Sequence, residues 1–232
     1  MYPWFSFNGQ NSQQMGVFVS RLPMLTRAEE RVQRVTIPGR AGHLTIKEGQ
    51  DVYNGFPSEC VITAPADADF PRILRWLSGS GRAIFSHDPD FAYQVDIAGA
   101  VRFDRVSNSL HQATIPFYFQ PFKGRAIPDP PIIVSAQSAS VFNPGNVLSL
   151  PIVTVDYTGS IEITIGGYTM AFTALSEPII VDCGAEIITD EDGDLWQGKY
   201  SGDFWRIPAG TSAVAVSESG CTLSIDPKWR WV

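Results

Sequence analysis

Only residues 67–78 of this chain carry the apolar spacing of a helix; almost everything else alternates over short runs between glycine and proline turns. Phe70, Ile73, Leu74 and Leu77 fall at i, i+3, i+4 and i+7, one face of a 3.6-residue repeat. Asp67 or Asp69 can cap the first amides, Pro71 lies early enough to be tolerated, and Gly79 can supply a left-handed cap. A chain with one helical window and many short alternating runs folds as an all-β protein with a single helix.

In the first half the alternating runs are Val17–Val19, Ser58–Thr63, Ala83–Phe85, Phe91–Ile97 and Ala113–Phe119, with Val101 and Phe103 extending the pattern beyond Gly99. Phe91, Tyr93, Val95 and Ile97 share one face by period-two alternation, and the turn Ser86–Asp90 precedes them. Pro116 inside the last run predicts an edge position or a bulge, because proline donates nothing to a ladder. A sheet packed on one helix is the expected first domain.

Pro128-Asp129-Pro130-Pro131 is the clearest break, a stiff connector because proline fixes φ and biases its predecessor toward extended backbone. It divides the chain into expected domains 1–127 and 128–232. Beyond it the runs 132–134, 152–157, 161–165, 169–172, 179–182, 185–188, 213–216 and 222–225 are all strand-like. Turns are expected at Asn143-Pro144-Gly145, Thr158-Gly159-Ser160, Gly166-Gly167, Asp192-Gly193 and Ala209-Gly210. Such spacing predicts a β-sandwich or jelly roll.

Charge separates the same two regions. Residues 1–131 hold 13 Lys and Arg against 12 Asp and Glu, while the remainder holds 4 against 12. Neither half has the concentrated basic face of a nucleic-acid-binding domain. No stretch approaches the length of a membrane span, and the N-terminus lacks the basic n-region and apolar core of a signal peptide. Cys60, Cys183 and Cys221 form no metal-ligand spacing; free thiols are expected, with a Cys183–Cys221 bridge left open.

Residues 21–40 stand apart. Arg21, Arg27, Arg31, Arg34 and Arg40 lie among Glu29, Glu30 and few large apolar residues, a stretch too polar to build its own core. It is expected to be an extended arm, ordered against something else, with Pro38 and Gly39 demanding a defined turn at its end. A solvated surface ribbon is the plainer alternative. These five arginines with Pro38 and Gly39 are the candidate subunit-interface residues, since the arginine fork suits carboxylates and carbonyls across an interface.

No catalytic constellation emerges. His43, His87 and His111 sit in no metal or nucleophile motif, and His87 beside Asp88 is the pattern of a solvated turn. Asp190-Glu191-Asp192-Gly193-Asp194 has the oxygen donors for Ca²⁺, but Leu195 and Ser201 stand where an EF-hand needs Gly and Glu, so a hairpin tip is the expected reading. Trp196, Trp205, Trp229 and Trp231 could form a sugar-stacking platform, with Trp196 and Trp205 the candidate glycan or partner contacts; completing a core or a subunit contact is the commoner use. A non-catalytic protein without cofactor or metal is expected, and a carbohydrate-binding β-sandwich is the alternative function.

Several motifs in order resemble the phage distal tail protein family. Phe7-Asn8-Gly9 with Met15-Gly16-Val17 resembles its opening strand and turn, and Val35-Thr36-Ile37-Pro38-Gly39-Arg40-Ala41-Gly42 is similar to the signature at the end of its arm. Leu74-Arg75-Trp76-Leu77 followed by Phe85–Asp90, and Gln120-Pro121-Phe122, repeat its order. Asn143–Asn146, Ser149–Val153, Ile180–Asp182, Phe204–Gly210 and Asp226–Trp231 resemble its galectin-like second domain. The resemblance implies a six-fold homo-oligomeric ring at the virion tail tip, assembled in the host cytoplasm, its first domain building the ring and its second projecting outward. It implies tail tube, tape measure and tail-tip or receptor-binding or tail-lysin proteins as neighbours, and a channel for DNA. Some relatives carry inserted carbohydrate-binding modules, for which this chain is too short.

Overall fold

The structure, a computed structural model, describes residues 2–232. The chain is all-β apart from one short helix, and it divides into two compact units, the first ending at Ile127 and the second running Pro128–Trp231.

The first unit contains, in chain order, β1 (Phe5–Phe7), β2 (Gln10–Asn11), β3 (Phe18–Arg21), β4 (Val32–Thr36), β5 (His43–Lys47), β6 (Phe56–Pro65), α1 (Phe70–Trp76), β7 (Ser80–Phe85), β8 (Asp88–Ile97), β9 (Phe103–Arg105) and β10 (Leu110–Arg125). One eight-stranded sheet has the order β2-β1-β7-β8-β10-β6-β3, with β9 beside β10, while β4 and β5 form a separate two-stranded ribbon. Alternation sends Ile62, Phe85, Val95, Ile115 and Phe117 to one face, where they form a core with Phe5, Phe7 and the helix residues Ile73 and Leu77.

The helix starts where its cap predicts. The Asp69 carboxylate accepts from the Arg72 amide at 3.1 Å, and Pro71 occupies the first turn. Its buried stripe differs from the expected one: Ile73 and Leu77 are buried, but Leu74 is 39% exposed. Trp76 turns inward instead, stacking on Phe5 at 5.3 Å and donating its indole N–H to the Phe7 carbonyl at 3.0 Å. A helix of seven residues touches the sheet along one narrow line, and the long indole spans to the sheet where the leucine does not.

Pro116 is not on an edge. Strand β10 is central, paired to β6 from Leu110–Pro65 to Phe119–Phe56 and to β8 from Phe117–Ile97 onward. The Pro116 carbonyl accepts from the Ala98 amide, so its ring nitrogen faces the same side, where β8 has ended and β9 has not begun. The missing donor falls in a gap between neighbours.

The second unit contains β11 (Ile132–Val134), β12 (Ser138–Asn143), β13 (Ile152–Asp156), β14 (Gly159–Ile165), β15 (Tyr168–Leu175), β16 (Ile179–Asp182), β17 (Ile187–Asp190), β18 (Lys199–Gly202), β19 (Gly210–Val216) and β20 (Thr222–Asp226). Two five-stranded sheets, β11-β20-β13-β16-β17 and β12-β19-β14-β15-β18, enclose one core. The expected strand at 185–188 lies at Ile187–Asp190, because Asp182 accepts from the Gly184 and Ala185 amides and holds that stretch as a turn. Gly166 and Gly167 join β14 to β15 with φ of 62° and 88°, and a side chain on Gly166 would collide with the Arg206 carbonyl.

Three polar side chains pin the ends of this sandwich. The buried Asn143 amide donates to the carbonyls of Val147 (3.1 Å) and Ile207 (2.9 Å) while its oxygen accepts from the Gly145 amide at 2.8 Å. Ser149 donates to the carbonyls of Pro227 and Lys228, and Arg230 to that of Leu148 at 2.7 Å. With Trp229 buried and Trp231 packed against the core, residues 228–231 belong to the second unit.

Candidate functional site: an exposed hairpin arm

The arm is a hairpin whose returning strand, His43–Lys47, did not stand out in the sequence. Its root is tied by the Glu30–Tyr53 bridge and by the Arg31 and Asn54 amides donating to Val52 and Glu29. At its tip the Arg40 amide donates to the Ile37 carbonyl, and Gly39 and Gly42 both take φ of 79°, which side chains disfavour.

Register decides what the ribbon presents. Val35 faces Leu44 and Gln33 faces Ile46 across the pair; Arg34 faces Thr45 and Thr36 faces His43. Directly opposed residues point to one side, so Val35, Leu44 and Ile46 lie on one face, with Ile37 continuing it, and Arg34, Thr36, His43, Thr45 and Lys47 lie on the other. The apolar face is open: Val35, Ile37, Leu44 and Ile46 are 40%, 37%, 38% and 46% exposed. A two-stranded hairpin alone is marginal in water. These four residues were missed in the sequence; the signal was Val-x-Ile and Leu-x-Ile on either side of the Pro38–Gly42 turn.

The candidate arginines are distributed differently. Arg21 lies in β3, outside the ribbon, 3.2 Å from Glu59. Arg31 is 3.7 Å from Glu48 and Arg34 is 3.9 Å from Glu29, while Lys47 meets Glu30 at 2.6 Å. Arg27 lies exposed before the root, and Pro38, Gly39 and Arg40 form the exposed tip. Exposed pairs of this kind contribute about 0–1 kcal/mol, while among the described residues Val35, Ile37, Leu44 and Ile46 each keep more than a third of their surface open.

The other candidates resolve into structure. Trp205 is fully buried and donates its indole N–H to the Ile163 carbonyl at 3.1 Å, so it is not a stacking surface for sugar. Trp196 is partly buried, edge-on to Phe172. Around Asp190–Asp194 the Asp190 carboxylate accepts from the Asp194 amide at 2.9 Å, closing a hairpin tip. Cys60, Cys183 and Cys221 are free and buried; burial pushes the first two thiols up to about 12 and the third up to about 11, away from thiolate chemistry at neutral pH.

One polar cluster is worth separating from a catalytic dyad. Asp88 accepts from both Lys123 Nζ and the Tyr93 hydroxyl, each at 2.5 Å, and Lys123 lies 4.2 Å over the Phe91 ring. Both donors meet the same carboxylate oxygen, Oδ2 of Asp88. Burial, then the bond to Asp88, raises the Tyr93 hydroxyl above its ordinary value. The folded state therefore holds that proton where the unfolded chain releases it, and stability falls as pH rises past the ordinary value of 10.0. In an alkaline spectrophotometric titration one tyrosine should ionise only as the chain unfolds. Ionisation of every tyrosine before the loss of circular dichroism would contradict this.

No family model matches this sequence, and no curated protein matches it. Among solved structures it is similar to the SPP1 Dit protein, presented as a paradigm of the hub adsorption apparatus in phages that infect Gram-positive bacteria. The match has a TM-score of 0.71 at 15% identity and covers 100% of both chains. What the two share is a fold. Dit is thus matched from end to end, both units included, while most of the side chains differ.

Proposed function

We propose that this chain is a structural, non-catalytic component of a phage tail tip. In this reading it forms a six-fold ring that joins the tail tube to the receptor-binding or tail-lysin apparatus and leaves a channel for DNA. Tail tube, tape measure and tail-tip proteins are its neighbours, the first unit builds the ring, and the second is a galectin-like sandwich that projects outward. The observation that carries the reading is the full-length likeness to Dit. The open apolar face of the hairpin supports it, because a ribbon with exposed aliphatic side chains suits a contact between subunits. In a cyclic ring each interface is heterologous, so the arm of one subunit meets a different patch on the next.

Electron microscopy of the purified protein tests this. A ring with a central hole is expected; a monomer at every concentration would overturn it. The same preparation should not hydrolyse cell-wall glycan or peptide. Turnover abolished by a single carboxylate or histidine substitution would identify an enzyme instead. Glycan titration should give nothing tighter than millimolar affinity, about −4 kcal/mol.

A further inference from the structure

We propose that the outward face of the sheet β11-β20-β13-β16-β17 docks a second protein, one that presents aliphatic side chains together with lysine and arginine. The proposal rests on the tail-tip reading, under which that protein is another component of the same assembly.

The face follows from register. Val153, Val155, Leu223, Ile225 and Val181 point into the core, so their neighbours along each strand point out. One outward row runs Ile133–Ser224–Thr154–Ile180–Thr189, and the next runs Asp226–Ile152–Asp182–Ile187. Neighbours in a row are close enough to touch. Ile133, Ile152, Ile180 and Ile187 therefore lie on one surface, with Ile133 62% exposed at one edge and Ile187 43% exposed at the other. The outward face of the opposite sheet is different: Ser138, Ser140, Thr211, Ala213 and Ala215 are small, and Phe142 is its one large apolar side chain on β12 and β19. Isoleucine is not required at outward positions of this sandwich, yet one face has it in every strand except β20.

Charge selects the occupant. None of the outward residues of the face is Lys or Arg. Asp156, Asp182 and Asp226 lie on it, with the exposed Glu186 just before β17. Lys228 pairs with Asp226 at 2.6 Å, which leaves Asp156, Asp182 and Glu186 to set the field. Isoleucines interspersed with carboxylates suit a protein contact that mixes aliphatic and charged groups, and the acidic side chains ask for a basic counterpart. Another copy of this unit is disfavoured, since residues beyond 131 hold 12 acidic side chains against 4 basic ones. A glycan is disfavoured because no aromatic ring lies on the face.

The test places a photo-cross-linking amino acid at Ile133 in the full chain and irradiates purified tails that contain it. The expected product joins this chain to a different protein, at a segment where lysine or arginine flanks aliphatic residues. Its yield should fall about tenfold with Asp156→Lys and Glu186→Lys together, both exposed positions, circular dichroism serving as the folding control. A cross-link to a second copy of this chain, to its β4–β5 hairpin included, overturns the proposal. So does a chain present in tails without any cross-link, or a yield indifferent to the double variant. Absence of the chain from tails sinks the tail-tip reading and this proposal together, and is told apart by immunoblot of the particles.

Discussion

Under the proposed ring assembly, a chain carrying Val35→Glu and Ile46→Lys should remain folded and fail to assemble at concentrations where the parent assembles. The two positions are diagonal neighbours on the apolar face of the hairpin, so the new charges attract each other and the ribbon keeps its register. Both side chains are solvent-exposed in the single chain, and surface changes of this kind cost about 0.5 kcal/mol or less of folding stability. At an interface the cost is different, because each contact residue lost there is worth about 1–3 kcal/mol and a closed ring repeats the loss at every junction. Mass against concentration by light scattering, with circular dichroism as control, measures it. Rings formed at the parent concentration would show that the apolar face is not the contact. Reversing Arg31→Glu with Arg34→Glu should weaken assembly less, because those guanidinium groups already face Glu48 and Glu29 within the arm.

Trp205→Ala should cost about 3–5 kcal/mol of stability, the range for removing a large aromatic from a packed core. Trp205 has no exposed surface, packs against Phe172 at 6.2 Å between ring centres, and donates to the Ile163 carbonyl. The substitution removes the ring, leaves a cavity and orphans that bond, and these losses add in the same direction. Urea unfolding followed by far-ultraviolet circular dichroism gives the value from the midpoint at unchanged slope. Trp196→Ala, at a partly buried ring, should cost less. Equal losses at the two positions would mean that the core is not centred on Trp205.

The sequence made the helix legible because periodicity and capping agreed at one place, whereas Leu74 and Trp76 exchanged roles because spacing says nothing about side-chain reach. Strands with several large apolar inward residues were visible; Ser138–Asn143, where Ala139 and Val141 are the apolar residues that turn inward, and Lys199–Gly202 were not. The arm looked polar because its arginines stand out, and the residues that define its face, Val35, Ile37, Leu44 and Ile46, acquire meaning only once the register of β4 on β5 is known. Trp205 could not be assigned from sequence, because the same residue type serves a core and a sugar platform. Its burial decided between them.

Strand β10 has a mechanical consequence. It ends at Arg125, just before the proline connector, and is gripped by β6 along its first stretch and by β8 along its last. A pull directed along β10 loads the ladders on both sides lengthwise, so their bonds resist together. A tug across the strand would break them one after another. For a pull in that direction the unit holds its tether in shear, the stiffer of the two directions for a sheet, and the central strand has to slide past two neighbours before the core opens.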